Sequence, residues 1–142
     1  PLSGSSSLDW TGATGLTQVM PASAVGAYAD VYRKRLRDMG KLTEPELNLR
    51  LGAHVLRQGM KRFKAAPLAL SAYNGGVGLT KKTLGAKDRS FVLWSEANPV
   101  RENRRYVKKV TQSWGIYRLL YDAERPFLKL PTRVGPAGAR YE

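Results

Sequence analysis

Apolar residues recur every three or four positions along most of this chain, the spacing that lines one face of a helix. From Pro21 onward, Val25, Ala29, Tyr32, Leu36 and Met39 share such a face, and Gly40 follows where a helix ending on a C′ glycine would close. A second helix is predicted from Thr43-Glu44-Pro45-Glu46. Thr43 is placed to cap it and Glu46 to complete a capping box, with Leu47, Leu51, Val55, Met60 and Phe63 as the buried stripe. A third, shorter helix runs from Pro67 through Ala72 and breaks at Asn74-Gly75-Gly76, which reads as a turn before a long basic loop. Asn98-Pro99 marks another turn. The longest helix follows it, with Tyr106, Val110, Trp114, Tyr117 and Tyr121 on one face until Pro126 stops it. No stretch alternates apolar and polar residues as a half-buried strand would, and no segment repeats, so the expected class is mainly α. One domain is expected over residues 1–125, and the Pro- and Gly-rich residues 126–142 read as a linker or an extended arm.

Composition narrows the chemistry. At 142 residues the chain is long enough to bury one core without staples. It has no Cys, which excludes a disulfide framework and a thiolate metal site. No apolar run approaches the roughly 18 residues of a membrane span. The formal net charge of +13 makes a field that concentrates polyanions, whether nucleic acid, anionic lipid or an acidic cell wall. The cations gather in YRKRLR (32–37), MKRFK (60–64) and RENRRYVKK (101–109), each of which also reads as a solvated helix face. No recognition-helix, aromatic-platform or zinc pattern accompanies them, so nucleic-acid binding as the main role rests on charge alone and the expectation is non-specific polyanion attraction. His54 has no second ligand at helical spacing, and neither a metal nor a cofactor is expected.

Three motifs carry a resemblance. GATGLTQVMP (12–21) resembles the Gly-Ala-x-Gly-Leu-Met-Gln-x-Met-Pro turn of the soluble lytic transglycosylases, the goose-lysozyme-like SLT family that cleaves bacterial peptidoglycan. Asn48 to Gly78 resembles the same family's Asn-x-x-x-Gly helix leading to Ala-Tyr-Asn-x-Gly, and ENRRYVKKV (102–110) resembles its Glu-Thr-Arg-x-Tyr-Val segment. The motifs stand in the family's order and cover Gly12 to Leu120. The resemblance implies a lysozyme-like helical fold. It also implies cleavage of the MurNAc–GlcNAc bond by one carboxylic acid, which protonates the leaving oxygen and then, as base, helps the MurNAc 6-hydroxyl attack C1 to leave a 1,6-anhydro end. Such an acid needs a raised pKa and an apolar pocket.

The family's acid belongs to a Glu-Ser pair shortly before the Gly-Ala turn, and this chain has no glutamate before Glu44. The expectation is a domain truncated at its N-terminus, with no catalytic residue of its own and the acid upstream of Pro1. Asp9 is a poor substitute, because a Ser-rich loop such as Ser3–Ser7 offers no apolar surroundings to raise a pKa. The resemblance assigns substrate binding to Gln18 and Met20 at the turn and to Tyr73 and Asn74 in the Ala-Tyr-Asn motif, and either substrate binding or the holding of Tyr73 to Glu102. Trp94, Trp114 and Tyr117 could stack on sugars, although Trp114 and Tyr117 fall on the helix stripe and read as core. The expected partners are peptidoglycan glycan strands, at the bacterial envelope or periplasm or from a phage virion, and further segments of a larger assembly. The competing readings are a noncatalytic peptidoglycan-binding module and a structural component of a virion or secretion machine.

Overall fold

The computed structural model describes residues 12–141, so the Ser3–Ser7 loop and Asp9 lie outside the described residues. Five α-helices occur among them: α1 Pro21–Tyr32, α2 Pro45–Phe63, α3 Ala66–Leu84, α4 Phe91–Ala97 and α5 Arg101–Tyr121. Three short strands accompany the helices: β1 Arg89–Ser90, β2 Arg133–Gly135 and β3 Gly138–Arg140. The fold is mainly helical, as the periodicity predicts. Two compact units divide the chain, the first ending at Leu56 and the second beginning at Arg57.

In the first unit, Val19, Ala24, Ala27, Leu36, Met39, Leu42 and Leu51 form the core, with Tyr28, Tyr32, Leu47 and Val55 packed against it. Pro21 opens α1, where its fixed φ suits the first turn. The helix does not reach Gly40. It ends at Tyr32, because Arg33 takes a left-handed conformation (φ 56°) and its N–H closes on the Ala29 carbonyl at 3.0 Å. Leu36 and Met39 are buried nonetheless, Met39 from a 3₁₀ turn, Met39–Thr43, whose start is capped by Asp38 Oδ1 accepting from the Gly40 N–H. The capping box does not form either. The Thr43 hydroxyl donates back to the Gly40 carbonyl at 2.8 Å, and Glu46 pairs with Arg50.

The second unit is centred on Phe63, Ala65, Leu68, Leu84, Trp94 and Val134. Met60, expected in the stripe of α2, is 39% exposed. The break at Asn74-Gly75-Gly76 is a kink, not an end. Gly76 takes φ 85° and ψ 156°, a conformation that side chains resist, and the chain then resumes as helix to Leu84 where a basic loop was expected. Phe91 to Trp94 of α4, also expected as loop, is held by burial of Trp94, whose Nε1–H donates to the Thr83 hydroxyl at 3.2 Å. The tail is not an extended arm. β2 pairs antiparallel with both β1 and β3, Val134 is buried opposite Arg89 and Ala139, and Arg140 bridges to Asp88 at 3.0 Å.

Candidate functional site

Each unit holds its motif residues with one buried asparagine whose four hydrogen-bonding positions are all used. In the first unit this is Asn48 on α2. Its Oδ1 accepts from the Thr17 N–H and the Thr17 hydroxyl, both at 2.8 Å, while Nδ2 donates to the carbonyls of Thr14 (2.9 Å) and Leu42 (2.8 Å). The turn from Gly12 to Met20 is thereby pinned to the helix, and a two-residue bridge between Thr14 and Val19 closes it. Gly52, one turn after Asn48, lies against the Thr17 side chain so closely that no Cβ would fit. The Asn-x-x-x-Gly spacing is therefore a device for seating the turn. On it, Gln18 is exposed with φ 51°, and its Nε2 donates back to the Gly15 carbonyl at 2.8 Å. Met20 is 44% exposed and belongs to no core.

In the second unit the asparagine is Asn103 on α5, fully buried. Its Oδ1 accepts from the Ser71 hydroxyl (2.9 Å) and Asn98 Nδ2 (2.7 Å), and its Nδ2 donates to the Ser71 carbonyl and to Asn74 Oδ1, both at 2.9 Å. Thr80, past the kink, adds its hydroxyl to Ser71 at 3.0 Å. Asn103 thus ties α5 to the first arm of α3 and to the Asn98 turn, and Ser71 carries the link to the second arm through Thr80. With its Oδ1 engaged, Asn74 points Nδ2 at Glu102 Oε1, a long contact of 3.5 Å.

Around this pair lies an open cavity of about 500 Å³ lined by Asn74, Arg101, Glu102, Arg105, Tyr106 and Lys109. Burial pushes the Tyr106 hydroxyl above the usual tyrosine range, and neighbouring Tyr73 adds to the shift, so at neutral pH the phenol keeps its proton. The structure therefore brings Tyr73, Asn74 and Glu102 into one neighbourhood of the second unit, while Gln18 and Met20 share the turn of the first. His54 Nε2 lies 3.2 Å from Asp30 Oδ2. Trp94 is core; Trp114 and Tyr117, expected as core, are 39% and 65% exposed.

The buried polar residues Asn103, Ser71 and Thr80 were not legible in the sequence, since isolated small polar residues carry no periodic signal, and Asn98 was legible only as the start of a turn. Sequence reasoning also assigned Tyr106 to a buried stripe. Arg101, Arg105 and Lys109 were legible only as basic residues four apart, a spacing that puts them on one face.

With this geometry the chain can be placed among known proteins. The model of the transglycosylase SLT domain matches residues 3–90, and the chain belongs to that family. It is 34% identical over 110 residues to the soluble lytic murein transglycosylase of Salmonella typhimurium, and 32% identical over 127 residues to that of Escherichia coli K12. These alignments cover 75% and 87% of this chain but only 17% and 20% of those proteins, so the chain spans about a fifth of their length. Among solved structures, an inactive mutant of lytic transglycosylase Slt from Pseudomonas aeruginosa superposes with a TM-score of 0.71 at 34% identity, over 80% of this chain and 19% of that one.

Proposed function

We propose that this chain is the glycan-holding part of a peptidoglycan lytic transglycosylase that leaves 1,6-anhydroMurNAc ends, working on the cell wall in the bacterial envelope. The observation that carries the reading is the meeting of two SLT motifs 28 residues apart, with Asn74 of Ala-Tyr-Asn directed at Glu102 of the Glu-x-Arg-x-Tyr segment. Gln18 and Met20 on the pinned turn, and Tyr73, Asn74 and Glu102 beside the cavity, are the residues proposed to bind sugar. The general acid is a different matter. Every glutamate among the described residues, Glu102 included, is exposed, and Glu96 is held below the usual carboxylate range by its hydrogen bond to Lys108. A general acid for this reaction must stay protonated near neutrality, which calls for apolar surroundings. We assign the acid to a glutamate outside the 142 residues, in keeping with the Pseudomonas relative, whose inactive mutant replaces a glutamate by glutamine.

The 142-residue chain incubated with purified sacculi is expected to release no anhydro-muropeptides detectable by mass spectrometry. The same chain extended at its N-terminus by a helix ending in Glu-Ser is expected to release them. Anhydro products from the unextended chain would place the chemistry on Asp9 or Glu102 and overturn the assignment. An inactive extended chain that still binds glycan would favour the noncatalytic binding module.

A further inference from the structure

A second cavity, of about 310 Å³, lies in the second unit and shares no lining residue with the one around Asn74 and Glu102. It is bounded by the last turns of α2 and α3 and by the turn that joins β2 to β3. The local backbone keeps the space open. Gly138 takes φ 103°, where a Cβ would lie 3.4 Å from the Phe63 carbonyl, Gly85 takes φ 69° at the end of α3, and Ala137 adds one methyl. Three lining positions thus carry almost no side chain. Phe63 and Leu84, which also line the cavity, belong to the core of the unit and give it an apolar floor.

The two polar side chains of the lining are both cations, Arg62 and Lys81, and no acidic residue joins them, so the cavity carries a charge of +2. Neither cation is in an ion pair among the described residues. Asp88, against which the Gly135 backbone rests, is already paired with Arg140 at 3.0 Å. The helix ends alone do not account for so much positive charge. The last turns of α2 and α3 carry two cations each, Lys61 with Arg62 and Lys81 with Lys82, whereas a helix C-terminus is worth about half a negative charge. Of these cations only Arg62 and Lys81 line the cavity.

We propose that this cavity is a site for a phosphomonoester, with the phosphate between Arg62 and Lys81 and the carbon body over Phe63 and Leu84. A monoester carries about −1.5 to −2 charges at neutral pH, which answers the charge of the lining, while a single carboxylate or a diester leaves half of it unanswered. The planar fork of Arg62 suits two phosphate oxygens at once, and Lys81 serves as a point charge for a third. The volume stands at the lower end of small-molecule sites, about 300–1,000 Å³. It therefore admits a small molecule or the end group of a chain, not a length of nucleic acid. The site goes beyond the glycan-holding reading and does not depend on it.

The test titrates the chain with phenyl phosphate, inorganic phosphate, benzoate, and a short oligothymidylate with and without a terminal phosphate. The backbone amides of Gly85, Ala137 and Gly138 and the Arg62 Nε–Hε are followed by NMR. Phenyl phosphate is expected to shift all four and to bind about tenfold tighter than inorganic phosphate or benzoate, equivalent to about 1.4 kcal/mol. The double variant Arg62→Gln, Lys81→Gln should abolish that advantage over benzoate. A control that takes the same charge from the same two helix ends, Lys61→Gln, Lys82→Gln, should keep the affinity within about twofold. Spectra that retain their dispersion in both double variants separate a lost site from a lost fold. An oligothymidylate that shifts these amides only when it bears the terminal phosphate makes the source a chain end, and phenyl phosphate binding without it makes the source a free small molecule; both support the site. No binding of phenyl phosphate, equal affinity for phenyl phosphate and benzoate, or a loss shared by both double variants overturns it. Equal shifts by the two oligothymidylates overturn it in favour of diester attraction.

Discussion

Asn103 is fully buried, and its being an amide has a physical content. An amide in that place satisfies two donors and two acceptors at once, whereas a threonine hydroxyl donates once and accepts at most twice. Truncating it strands the Ser71 hydroxyl, Asn98 Nδ2 and Asn74 Oδ1 in a buried setting, and each unsatisfied group costs about 1–3 kcal/mol where water does not reach it. Asn103→Ala is therefore expected to lower unfolding free energy by about 3 kcal/mol in urea titrations, with Asn103→Thr falling between it and the parent. A loss below about 1 kcal/mol for Asn103→Ala would mean that the network is solvated. Asn48 plays the same part in the first unit, and here sequence reasoning went further: it found the Asn-x-x-x-Gly motif. It found no mechanism, because the partners of Asn48 are the backbone of Thr14 and Leu42 and both donors of Thr17. Spacing along a chain does not reveal such partners. The candidate residues Tyr73, Asn74 and Glu102 were legible for the opposite reason, since each lies inside a short contiguous motif.

Helices were read well where burial and backbone agree, and poorly where burial continues after the backbone has changed. Leu36 and Met39 continue the apolar rhythm of α1, and both are buried, yet the helix has already ended at Tyr32. Periodicity reports burial and is silent on a single left-handed residue such as Arg33. The converse occurs in α5, where Trp114, Tyr117 and Tyr121 keep helical spacing but stand exposed, together with Leu119 at 61%. The strands escaped notice because each has two or three residues, too few to show alternation. Two substitutions distinguish the readings. Leu68, wholly buried in α3, should cost about 2–5 kcal/mol when changed to Ala, the range for a core leucine that leaves a cavity. Leu119→Ala should fall within about 0.5 kcal/mol of the parent, as surface substitutions do. Thermal unfolding of the two variants side by side checks both. A large loss for Leu119→Ala would show that the far end of α5 is packed in solution.

At the scale of the whole molecule the net charge of +13 is the property most easily read and least specific, because many polyanions answer to it. Stem carboxylates, teichoic acids and DNA all feel such a field, and most of it comes from exposed side chains on several helices, as at Arg50, Lys61 and Lys108. Long-range attraction of this kind is screened, with a Debye length that falls from about 10 Å at 0.1 M salt to about 3 Å at 1 M. Contacts between a neutral sugar and Gln18, Tyr73 or Asn74 depend on hydrogen bonds and ring packing, which salt barely alters. Adsorption of the chain to intact sacculi is therefore expected to weaken steeply as salt is raised. The affinity for neutral chitotetraose, measured on the same preparation, should change by no more than about twofold, which is about 0.4 kcal/mol. A parallel loss of both would assign recognition to the basic surface as a whole, and a glycan site built on Asn74 and Glu102 would have to be given up.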